Sequence, residues 1–228
     1  MLKKLFVFIV VVFIAWMGTY AQDTTELVLE NGINDYEGTR DTTIYDENSN
    51  SNGAGVYLFA GRTNRGSERR ALLAFDLADV PEGATITFVS LNLTVSKTQP
   101  ENTVISLHRL TADWGEGVAD ASGQEGAGAS TQDNAATWTE NFHDESSWEN
   151  AGGDFVQEAS AQGTAGTAGS TLVLESEGLV ADLQAWVDGE ADNFGWAILG
   201  NGTAKRFHSA NSDVNEGLKP RLVVRFTQ

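Results

Sequence analysis

The sequence predicts an all-β protein, an antiparallel β-sandwich of jelly-roll type carrying one short helix. Three observations lead there. Leu73, Phe75 and Leu77 alternate with polar or small residues, as do Val89, Leu91, Leu93 and Val95; a period of two places successive side chains on opposite faces of a half-buried strand. Runs of strand length recur between Gly, Pro, Asn and Asp residues, the punctuation of sandwiches and jelly rolls. Only one segment has helical spacing, so parallel βαβ crossovers have nothing to be built from.

Taken in order, strands are expected over 26–29, 42–46 and 55–61, each bounded by turn residues. The runs 70–77 and 84–96 follow, joined through Pro81-Glu82-Gly83, where proline presets φ and glycine relaxes the turn. A sixth strand is read over 103–110 and further ones over 171–175, 194–200, 205–210 and 221–227. The helix is expected over 178–188, because Leu179, Leu183, Trp186 and Val187 share one face and Gly189 sits where a C-terminal cap belongs. Two stretches, 115–136 and 151–170, are rich in Gly, Ala and Ser and show no periodicity. Loops of this length tend to be functional or disordered, and their composition favours disorder.

The first 21 residues read as a cleaved secretory signal peptide: Lys3 and Lys4, an apolar run from Leu5 to Trp16, then small residues ending at Ala21. Residues 22–228 are then one domain, exported to the extracellular space or cell surface. The absence of cysteine excludes disulfides, thiolate metal sites and cysteine nucleophiles. A net charge of −18 argues against nucleic acid and anionic membranes as partners, and no segment after the leader is long enough to span a bilayer.

Several ordered motifs resemble the DNRLRE domain, a secreted β-sandwich family grouped with the family 96 carbohydrate-binding modules. They are Arg69-Arg70 leading into an apolar strand and the Pro-x-Gly-Ala-Thr-Ile turn at 81–86; Leu107-His108-Arg109-Leu110 running into Asp113-Trp114-Gly115-Glu116-Gly117; Trp138; Trp148 with Gly152-Gly153-Asp154-Phe155; the 179–189 helix; and Lys205-Arg206-Phe207-His208-Ser209 before Pro220-Arg221-Leu222. The chain departs from that pattern in the extra polar residues of 62–68 and in its acidic loops. The resemblance implies a non-catalytic module that binds polysaccharide, in some members an acidic one such as alginate, and that works beside a partner enzyme or cell-surface proteins. A structural or adhesive matrix protein is the alternative reading of such a sandwich.

Two residue classes fit carbohydrate chemistry. Trp114, Trp138 and Trp148 lie in or beside the long loops, where flat rings could stack on a pyranose; the competing reading makes them core. Arg62, Arg65, Arg69 and Arg70, joined by Lys205 and Arg206, are the cationic concentrations of an acidic chain. Arginine forks grip carboxylates in two-point contacts, although pairing with acids such as Glu68 and Asp76 would also occupy them. Asp35, Asp41 and Asp46 supply hard oxygen atoms of the kind a structural calcium ion takes, or are simply turn residues. Catalysis finds no motif: His108, His143 and His208 are dispersed, and Asp113 and Glu116 have no defined separation across a cleft.

Overall fold

A computed structural model describes residues 23–98 and 102–228; the expected signal peptide lies outside these. The strands are β1 (Thr25–Leu29), β2 (Thr39–Tyr45), β3 (Tyr57–Arg62), β4 (Glu68–Phe75), β5 (Thr85–Lys97) and β6 (Thr103–Arg109). They continue with β7 (Glu140–Phe142), β8 (Ser146–Ser147), β9 (Ala161–Ala165) and β10 (Thr171–Glu175). After helix α1 (Glu177–Val187) come β11 (Trp196–Gly200), β12 (Lys205–His208) and β13 (Arg221–Thr227). All these strands except β7 and β8 join one sheet, in the order β1-β13-β5-β12-β3-β4-β11-β6-β9, with β10 added to β5 and β2 to β4. Every pairing of these strands is antiparallel.

The sheet curls until its faces oppose each other, which makes the fold sandwich-like. Val89, Leu91, Leu93 and Val95 of β5 meet Ala71, Leu73 and Phe75 of β4, with Ile105 and Leu107 of β6 and Trp196 and Ile198 of β11 completing the core. β5 is long enough to serve both layers. Its first half pairs with β13, its middle with β10, and Val95 and Lys97 pair with β12, where a bulge sets the bend.

α1 forms as its spacing predicts, displaced by one residue. Ser176 caps it by accepting from the Leu179 amide at 3.1 Å. The end is a Schellman arrangement: Gly189, at φ +70, and Glu190 donate to the carbonyls of Trp186 and Ala185. Leu179, Leu183 and Trp186 face the main core, and the Gln184 amide clamps the start of β5 by bonding Ile86 N–H and the Ala84 carbonyl.

β4 is buried on both faces. Leu72 and Ala74 point away from the main core into a second cluster with Ile44, Leu110, Trp114, Ala136, Trp148 and Ala197. This cluster lies beneath the long loops, and it corrects the expectation of disorder. Residues 115–136 are held by backbone contacts at close range: Ser51 bridges Ala129, Glu116 bridges Ala135, and Ala54 N–H donates to the Ala119 carbonyl. A Cβ added at Gly53 would sit 2.0 Å from the Glu116 carbonyl oxygen, and one at Gly115 2.4 Å from that of Asn134, so these glycines are there because backbones touch. In the second stretch, 161–165 forms the edge strand β9 against β6, with Gly163 beneath the Leu172 and Leu174 side chains.

Candidate functional site

The period of two separates residues that adjoin in sequence. Arg69 and Arg70 leave β4 on opposite sides. Arg69 is buried: its Nη2 meets Glu47 Oε1 at 2.6 Å, its Nε donates to the Gly126 carbonyl at 2.7 Å, and its guanidinium covers the Tyr45 ring. Its Nη1 is buried without a hydrogen-bond partner. Arg70 lies between Trp138 and Phe155, 4.7 and 5.4 Å from their ring centroids, and donates to the Gly152 carbonyl. Arg62 and Arg70 share one acid, Glu68, at 2.6 and 2.8 Å. Arg65 is exposed on the β3–β4 turn and forms no ion pair among the described residues. The expected single arginine patch is therefore divided, because one strand sends neighbours to two faces.

The same alternation corrects the pairing of Lys205 with Arg206. Lys205 is fully buried and donates to Thr98 Oγ1, whereas Arg206 faces outward, 3.6 Å above the Tyr57 ring centroid. Arg206 is the cross-strand partner of Lys97, and both donate to Gln124 Oε1, at 3.1 and 2.9 Å. Neither forms an ion pair among the described residues.

These groups line a cleft of about 230 Å³, walled by Phe59, Arg69, Lys97, Gln124 and Arg206, with Thr63 and Thr98 at its margin. No carboxylate lines it among the described residues. Of the expected binding residues, the fold brings Arg69 and Arg206 here. Lys97 and Gln124 were not foreseen, since only register places the end of β5 beside β12 and only tertiary contact folds the 115–136 loop across them. A larger cleft, about 500 Å³, opens at the other end of β4 among Glu37, Arg40, Asp76, Glu116 and Asn193. With three carboxylates against one arginine, it suits no polyanion.

Tryptophan stacking is corrected for two of the three rings. Trp114 is fully buried, with its indole N–H on the Phe194 carbonyl at 2.9 Å and Arg40 over its face. Trp148 is buried, with its N–H on the Thr137 carbonyl. Trp138 is half-buried beneath Arg70. All three cover the outer face of β4 and β11, where a bare apolar sheet would otherwise meet water.

Asp35, Asp41 and Asp46 do not converge on a cation. Asp35 and Asp46 are exposed, while Asp41 is fully enclosed in β2. Burial pushes the Asp41 carboxyl up to about 8, against the lowering effect of the Ala210 amide that donates to it at 2.7 Å, and nearby Glu116 adds to the rise. Burial also raises Glu116, one oxygen of which accepts from the Asp41 amide. The described residues bring three metal-type donors together at Glu140, His143 and Asp144, whose ligand atoms lie within 4.8 Å of one another. A hydrogen bond from His143 holds the Glu140 carboxyl below its usual range, and the same bond raises the imidazole.

No protein-family model matches this chain, and no curated protein sequence matches it.

Proposed function

We propose that this chain is a non-catalytic binder of an acidic polysaccharide, gripped at the cleft between β3, β5 and β12. One observation carries the reading: in a protein of net charge −18, the described residues lining this cleft include no carboxylate, and two of its cations, Lys97 and Arg206, have no acid partner among the described residues. The charge of the whole molecule opposes a polyanion, but at physiological salt that field decays over about 8–10 Å, so groups in contact decide. The Arg206 guanidinium offers charge to a carboxylate or sulfate, Phe59 offers an apolar face, and Gln124 and Thr63 match sugar hydroxyls. The volume is below the roughly 300–1,000 Å³ of sites for drug-sized ligands, so the cleft suits about one residue of a polymer that continues past both ends. The leader pattern read in residues 1–21 supports a location outside the cell for such a binder.

The test is retardation in native gels containing a polyuronate, a sulfated polysaccharide or a neutral glucan, using the wild type and a Lys97→Gln/Arg206→Gln variant. The wild type should be retarded by an acidic polymer and released by salt, and the variant should bind at least about tenfold more weakly. Equal retardation of the two proteins, or none by any acidic polymer, would overturn the proposal.

A further inference from the structure

The turn between β7 and β8 places an imidazole between two carboxylates. His143 Nδ1 lies 2.8 Å from Glu140 Oε2, and His143 Nε2 lies 3.6 Å from Asp144 Oδ2. Glu140 is fully engaged by the turn itself. Its Oε1 accepts from the Asp144 amide at 3.2 Å, and its Oε2 is within reach of Thr137 Oγ1. An ionised carboxylate only accepts, so in the neutral imidazole Nδ1 carries the proton and Nε2 keeps its lone pair. That lone pair faces the Asp144 carboxylate at a distance too long for a good hydrogen bond.

The spacing suits a metal ion. With a cation about 2.0–2.1 Å from each atom, as zinc lies from nitrogen and oxygen ligands, the 3.6 Å separation gives an angle of about 120° at the ion, and closing it by about 0.2–0.3 Å gives the tetrahedral angle. A carboxylate bonded to the far nitrogen of a ligating histidine is the usual second partner in such sites, where it fixes the tautomer and ring orientation. The contrast within the chain is direct, since both ring nitrogens of His108 are engaged by the Val156 carbonyl and Ser106 Oγ. A further carboxylate, Asp133, acts on the same imidazole from the neighbouring loop. The backbone is anchored, with His143 N–H on the Ala135 carbonyl and Thr137 N–H on the Glu140 carbonyl. Asp144 is 81% exposed, so an ion reaches the pair from solvent.

We propose that this turn binds one zinc-class divalent cation, with His143 Nε2 and Asp144 Oδ2 as ligands and Glu140 as the group that orients the imidazole. Water completes the coordination. The site is separate from the cationic cleft and does not depend on the glycan reading.

The experiment is calorimetric titration of the full chain with zinc chloride at pH 7.5 and 0.15 M salt, where weak attraction to the acidic surface is screened. One equivalent should bind. His143→Ala should weaken binding at least tenfold, and Asp144→Asn should also weaken it. Glu140→Gln should lose about 10–100-fold, as outer-shell partners do. Circular dichroism melts check that these surface variants remain folded. Absence of one-equivalent binding, which would leave the pair as an ion pair only, overturns the proposal; so does zinc binding unchanged in His143→Ala.

Discussion

Replacing Trp114 separates a core role from a sugar platform. Its ring is fully buried in the cluster with Leu72, Ala74, Leu110 and Trp148, and its N–H closes a 2.9 Å hydrogen bond to the Phe194 carbonyl. Truncating a buried aromatic to alanine costs about 3–5 kcal/mol through lost transfer energy and the cavity left behind. Leaving the Phe194 carbonyl without its donor adds about 1 kcal/mol, and Arg40 loses the ring it covers at 4.5 Å. Trp114→Ala should therefore destabilise by about 5 kcal/mol, and Trp114→Phe by about half that, because much of the ring remains. Equilibrium urea unfolding followed by far-ultraviolet circular dichroism measures this without relying on the tryptophan emission being altered. With a slope of about 2 kcal/mol per molar, the alanine variant's midpoint should fall by about 2.5 M. A midpoint within about 0.5 M of wild type would refute the packing argument, most directly if polysaccharide binding disappeared at the same time.

Two further predictions address the buried acid and a close backbone contact. Because Asp41 titrates near 8 in the fold and near 3.8 when unfolded, the folded protein holds a proton that the unfolded chain has lost. The stability this proton contributes is present below about pH 4 and is lost as pH rises through 8. Asp41→Asn does not titrate, so between pH 5 and pH 9 it should gain at least about 2 kcal/mol on the wild type; parallel stability profiles in urea would contradict this. Gly195 sits at φ +75, and a Cβ there would lie 2.1 Å from the Leu73 carbonyl oxygen and 2.7 Å from Ala74 Cα. Gly195→Ala should therefore cost more than about 2 kcal/mol and lower the thermal midpoint; an unchanged melt would show that β11 can shift aside.

What was legible in the sequence followed from local periodicity. β5 and β13 carry regular apolar alternation and β4 a continuous apolar run, and all three were readable close to their observed bounds. α1 was readable because its apolar face and the glycine after its end are local features. β9 was not, since Ala161-Gln162-Gly163-Thr164-Ala165 has no alternation of large apolar residues. Its small side chains fit the leucines of β10, which lie elsewhere in the chain. The alanine and glycine content of 115–136 looked like disorder for the same reason. Closely packed backbones and solvated linkers both select small residues, and composition does not distinguish them.

The candidate site follows the same division. The sequence by itself determined the all-β class, the single helix, the acidic balance and which residues carry positive charge, because these depend on composition and on neighbours along the chain. Tertiary structure decided which charges meet. Strand alternation turned Arg69 from Arg70 and Lys205 from Arg206, and strand register then set Lys97 beside Arg206. Side-chain direction repeats every two residues, but the partner across a strand is chosen by the whole sheet, so a cleft made of cross-strand neighbours has no signature in linear order.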